Sequence, residues 1–117
     1  MHRKYLALAG ILGLAAVTVG GCKGGEEETV KNIKIGITLY DQYDTFVSEL
    51  MTEFTEYAAD KEESTGIAIN LEILDSAQSQ LTQNEQVKSL IDKGCDVVCV
   101  NLVDRTEPTT ITDLAES

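Results

Sequence analysis

Histidine is almost missing from this chain: the single copy, His2, lies in a segment with the marks of an export signal. Beyond that segment there is no imidazole, so a Ser-His-Asp or Cys-His catalytic pair and a histidine metal site are excluded from the rest of the chain. Positive charge is scarce too, and nine Lys and Arg against twenty Asp and Glu leave a formal net charge of −11. Removing residues 1–21 takes away Arg3 and Lys4 and no acid, which leaves −13. A surface so acidic repels phosphate backbones and argues against nucleic-acid binding. The one long apolar run, Tyr5 to Val19, falls short of the ~18 residues expected of a membrane-spanning helix. Cysteines number three, and Cys95 and Cys99 flank and enter the apolar run from Asp96 to Val100. If that run is a strand, residues four apart lie roughly 13 Å from one another, too far for a disulfide, so both are read as small buried hydrophobes. No internal repeat is present.

What is there begins with Arg3 and Lys4, a positive start to the apolar run, which closes on Val19-Gly20-Gly21-Cys22. A charged start, a short apolar core and small residues before a cysteine describe a cleaved secretory signal. The ending resembles a lipobox, and the resemblance implies cleavage before Cys22 with acylation of its thiol. Residues 23–31 then run through Lys23-Gly24-Gly25 and Glu26-Glu27-Glu28-Thr29, too polar to order themselves by burial. The expected organisation is a signal over residues 1–21, a lipid-anchored tether over 22–31, and a folded segment over 32–117. Such an anchor places the folded segment on the outer face of the cell membrane, as suits a Gram-positive or similar envelope.

Asn32 to Tyr40 is β-branched and apolar at strand length, with Gly36 allowing close approach of a neighbour. From Thr45 to about Glu63, Phe46, Val47, Leu50, Met51, Phe54, Tyr57 and Ala58 recur at three- and four-residue steps, predicting an amphipathic helix that Gly66 terminates in the left-handed conformation. Ile67 to Leu74 alternates as a second strand, and Asp75 to Ser79 supplies a polar loop and an N-cap. A helix follows from Gln80 to Lys93 with Leu81, Val87, Leu90 and Ile91 as its inner face, closed by Gly94. Asp96 to Leu102 reads as a third strand, residues 103–108 as a loop, and Thr109 to Ser117 as a further helix. Alternating strands and helices with short links predict an α/β fold, a parallel sheet with flanking helices joined by right-handed crossovers. Ligands in such sheets bind beyond the carboxyl ends of the strands, which singles out the loops over 41–45, 75–79 and 101–108.

Three segments on those loops carry a family resemblance. They are Lys34-Ile-Gly-Ile-Thr-Leu-Tyr-Asp-Gln-Tyr-Asp-Thr-Phe46, then Asp75-Ser76 with Gln83-Asn84-Glu85-Gln86, then Val98-Cys-Val-Asn-Leu-Val-Asp104. In order and spacing the chain resembles the galactose/glucose-binding proteins of ABC sugar transporters, which have the type I periplasmic-binding fold. The Tyr-Asp-x-Phe turn together with Asn-Leu-Val-Asp is more specific than the strand and helix order. The resemblance covers residues 32–117 and implies a partial first lobe of a two-lobed protein, about its first third. It implies that Asp44, Phe46 and Asn101 bind sugar. It also implies a membrane permease as partner, galactose or glucose as ligand, no bond made or broken, and no cofactor in this segment. Calcium, which many members bind, belongs to a segment beyond the one seen here.

The chemistry is sound on first principles, because a pyranose offers a C–H face to an aromatic ring and a belt of hydroxyls to planar polar groups. An ionised Asp44 makes charge-assisted bonds, and Asn101 both donates and accepts. Each residue has a plainer reading beside this one: Asp44 as a helix N-cap, Phe46 as helix core, and Asn101 as a turn former. Tyr40 and Tyr43 either flank the mouth or are partly buried aromatics. Gln83, Asn84 and Gln86 read as a solvated helix face with some hydrogen bonds between elements, and Asp104 as the organiser of its loop. One departure stands out: the family usually has Pro after Asn-Leu-Val-Asp, where this chain has Arg105 and delays proline to Pro108. Other functions stay open at this point. They are a sugar sensor that passes its bound form to a receptor, an anchored hydrolase using paired carboxylates, and an inactive truncated product. A partial lobe is expected to bind sugar very weakly or not at all and to be prone to aggregate.

Overall fold

Parallel strands form where β-branched residues are concentrated. The computed structural model describes residues 31–117, so the signal sequence, Cys22 and the tether through residue 30 lie outside the described residues. Three strands and three helices alternate: β1 (Asn32–Leu39), α1 (Thr45–Thr65), β2 (Ala68–Asp75), α2 (Gln80–Asp92), β3 (Val97–Val100) and α3 (Thr109–Glu116). All strand pairs are parallel, in the order β2-β1-β3, with Ile37 level with Ile73 on one side and Cys99 on the other. The chain is thus the expected α/β sheet. Among the described residues no helix is long and apolar enough to cross a membrane.

The helix ends have identifiable causes. Asp44 caps α1 by accepting the Val47 N–H at 2.9 Å, and Ser79 caps α2 by accepting the Thr82 N–H at 3.2 Å. Gly66 ends α1 in the left-handed region at φ 70°, and Gly94 follows α2 at φ 76°. Such a glycine lets its N–H turn back onto the last helical turn, and the Gly66 N–H bonds to the Glu62 carbonyl. β1 stops one residue before the expected Tyr40 because the Tyr40 N–H donates to the Asn101 side chain instead of to a neighbouring strand. β3 is shorter than the expected 96–102 for a related reason, as the Asn101 carbonyl accepts from a side chain of α2.

Successive side chains of β1 point to opposite faces of the sheet. Ile37 and Leu39 pack with Val47 of α1, joined by Ile35, Met51, Phe54 and Cys99. On the other face α2 lies so close that a Cβ on Gly36 would sit 2.7 Å from Leu90 Cδ2. Crossovers of one hand that run in opposite directions along a sheet must put their helices on opposite faces, as α1 and α2 are.

Several expected core positions differ. Phe46, Leu50 and Tyr57 of α1 are exposed, Phe46 by 73%, because α1 meets the sheet along Val47, Met51, Phe54 and Ala58. Leu81 is 71% exposed and not on the inner face of α2, which runs through Gln83, Val87 and Leu90. At 3.6 residues per turn Leu81 sits about 200° round the helix from Gln83. Cys95 and Cys99 are free, as expected, but half-buried, since β3 is an edge strand among the described residues.

Candidate functional site

The connections from β1 and β3 leave the sheet on opposite faces, β1 to α1 and β3 to α3, which packs on α2. Between two such adjacent strands the loops diverge at their carboxyl ends and open a crevice. Tyr40, Asp44 and Asn101 gather there, all half-buried.

Tyr40 is the joint. Its N–H donates to Asn101 Oδ1 at 3.2 Å, and its phenol donates to Asp44 Oδ2 at 2.5 Å. The other carboxylate oxygen of Asp44 is the helix cap. The Tyr40 hydroxyl, followed by the Val47 and Phe46 amides, holds the Asp44 carboxyl below its ordinary range. The same hydrogen bond, with some burial and the negative charges of Asp44 and Asp41, pushes the Tyr40 phenol up. Asp44 is therefore ionised over the physiological range.

Asn101 is anchored through its backbone as well. Its N–H donates to the Thr38 carbonyl at 2.9 Å, and its carbonyl accepts from Gln83 Nε2 at 2.9 Å. Gln83 Oε1 then accepts the Val103 N–H at 2.9 Å. With 0% exposure Gln83 is no solvated residue: it is the buried clamp on the loop after β3, and this corrects the expectation for that face. Gln80 continues the clamp by accepting the Asp104 N–H, and Gln86 donates to the Asp75 carbonyl while accepting from Thr38. Asp104 organises its loop by accepting from the amide and hydroxyl of Thr106, the hydroxyl first among the causes that lower its carboxyl pKa. The signal for Gln83 was present in the sequence, since 83, 87 and 90 share one helical face.

The loop after β2 completes the rim. Gln78 N–H donates to the Tyr40 carbonyl, Gln78 Nε2 to Asp41, and Asp75 accepts from the amides of Gln42 and Ala77. Ala77 and Gln78 both take left-handed backbone, at φ 49° and 62°. A side chain in that region crowds the following carbonyl, so the conformation costs a non-glycine residue free energy.

Phe46 and Asn101 share an apolar depression of about 240 Å³ between α1 and β3, lined also by Leu50, Met51 and Phe54. Phe46 is exposed on that rim. Tyr43 is more exposed still, and its backbone N–H donates to Asp41. A larger hollow of about 400 Å³ lies by Lys34, Glu72 and Lys93, but at the amino ends of the strands, away from the crevice. Among the described residues no cluster of three or more His, Cys, Asp or Glu is placed to hold a metal ion.

The fold is an α/β domain with a crevice at the carboxyl ends of its strands. No protein-family model matches the chain. In sequence it is 37% identical over 84 residues to the D-galactose/methyl-galactoside binding periplasmic protein MglB of Haemophilus influenzae. That alignment covers 72% of this chain and 24% of the relative, so the chain spans about a quarter of that relative's length. The similarity relates the chain to a sugar-binding periplasmic protein.

Proposed function

We propose that this chain contributes the first wall of a monosaccharide site in an extracytoplasmic substrate-binding lipoprotein. Such a protein captures galactose or glucose and delivers it to the permease of an ABC transporter, without making or breaking a bond. The observation that supports this most is the similarity to MglB, in a chain whose sheet carries a polar crevice at its switch point. In this reading Phe46 offers its exposed ring to the C–H face of the sugar, Asp44 accepts from hydroxyls, and Asn101 donates to them. Cys22 carries the lipid that keeps the protein at the outer face of the membrane.

Titration of the unlipidated chain with D-galactose and D-glucose, followed by amide NMR, tests the reading. One wall alone predicts a Kd near or above 1 mM, about −4 kcal/mol or weaker, with saturable shifts centred on Tyr40, Asp44, Phe46 and Asn101. Phe46→Ala should remove about 1–3 kcal/mol of that affinity. Saturable shifts elsewhere, or the same shifts in Phe46→Ala, would refute the assignment. For the anchor, mass spectrometry of the protein from a lipoprotein-processing host should show an acylated Cys22 as first residue. A soluble product beginning at Met1 would refute it.

A further inference from the structure

Within the sugar-binding reading, we propose that Tyr40 is a positioning residue that orients the two polar groups of the site, holding the Asp44 carboxylate in place as acceptor and turning the Asn101 NH2 outward as donor. Tyr40 reaches both through different atoms, the phenol to Asp44 Oδ2 and the backbone N–H to Asn101 Oδ1. A backbone N–H only donates, so the amide atom of Asn101 that faces it is the oxygen, and the NH2 group is turned the other way. That NH2 has no partner among the described residues and is free to donate to a ligand oxygen. Asp44, a carboxylate, has only lone pairs to offer, and at least one remains beyond those that face Tyr40, Val47 and Phe46.

The consequence is a directional demand on the ligand. It must present a hydroxyl hydrogen to Asp44 and, beside it, an oxygen lone pair to Asn101. Adjacent hydroxyls of a polyol meet that demand, whereas an anion is repelled by Asp44 and a ligand carrying only acceptors leaves Asp44 unpaired. Tyr40 is itself held, since it packs against the core cluster of Ile37, Leu39 and Val47, and its carbonyl accepts from Gln78. The other charges facing the Tyr40–Asp44 pair are Asp41 from the same loop and Arg105 from the loop after β3.

Tyr40→Phe tests this in the full chain, because it removes one oxygen and keeps both the ring and the backbone N–H. The Asp44 carboxyl carbon, followed by NMR across acid pH, should titrate at higher pH in the variant, since the hydroxyl that lowers its pKa is gone. Galactose-induced shifts should weaken by about fivefold at neutral pH, the size of one lost hydrogen bond. The acid limb of galactose binding should move up in pH with the carboxyl. A purely structural role predicts a less stable protein whose Asp44 titration and acid limb stay in place, and that result overturns the proposal. If Asp44 moves but galactose shifts both proteins alike, the positioning role falls while the sugar reading stands; saturable shifts centred away from Tyr40, Asp44 and Asn101 sink the sugar reading itself.

Discussion

Replacing Gln83 by alanine withdraws the clamp from the loop that carries Asn101. The side chain makes three hydrogen bonds, of which the 3.4 Å contact with Thr38 is weak and the two 2.9 Å bonds to the Asn101 carbonyl and the Val103 N–H matter. Each orphaned backbone group costs about 1–3 kcal/mol when buried. Both lie in half-buried residues that water can reach in part, so the lower end applies to each. The space left by the lost methylene and carboxamide adds on the order of 1 kcal/mol. A loss of about 3 kcal/mol is expected from these costs together, read by urea denaturation, with faster hydrogen exchange confined at first to the Val103 amide. Gln83→Glu sharpens the test, because the new carboxyl still accepts from Val103 but sets a negative oxygen against the Asn101 carbonyl. Burial and that contact raise its pKa, so the destabilisation is full above the raised pKa and shrinks as pH falls through it, when the protonated carboxyl donates as the amide did. If Gln83→Ala lies within about 0.5 kcal/mol of wild type and Val103 exchanges no faster, the clamp contributes nothing beyond a surface contact.

Two further outcomes check the packing and the rim. Gly36→Ala drives a Cβ to 2.7 Å from Leu90. It should cost about 1–3 kcal/mol in a urea melt, with Leu90→Ala in the same chain recovering part of the loss as a double-mutant coupling. A Gly36→Ala chain as stable as wild type would show that the sheet and α2 are not in close contact there. Ala77 sits at φ 49°, where alanine bears a penalty that glycine does not. Ala77→Gly should therefore stabilise the chain by about 0.5–1 kcal/mol, and a lower melting temperature would refute strain at that loop.

The fold was legible because its signals are local. Alternation over 67–74 and three- and four-residue steps over 45–63 need no knowledge of partners, and the caps at Asp44 and Ser79 and the stops at Gly66 and Gly94 are written in residue type. Burial was less legible because it depends on which neighbours arrive. Phe46 and Leu50 sit on the apolar side of α1 by periodicity, yet they remain exposed beside β3. Gln83 shares a helical face with Val87 and Leu90, yet its residue type pointed to solvent, as a polar residue is buried only where the open ends of backbone require it.

The candidate site shows most plainly where residue-by-residue reading runs out. From sequence, Asp44 offers two alternatives, helix cap or ligand for a hydroxyl, as if one excluded the other. Its two oxygens remove the choice: Oδ1 ends the helix, Oδ2 takes the Tyr40 phenol, and the carboxylate still keeps a lone pair for a further partner. Capping then fixes the carboxylate at no further conformational cost when a ligand arrives, because the side chain is already immobile. Asn101 follows the same logic, with the atom that ends β1 pairing being the one that aims its amide. A residue held twice by the fold makes a good binding group, and the cap that seemed the plain alternative is what makes the proposed role workable.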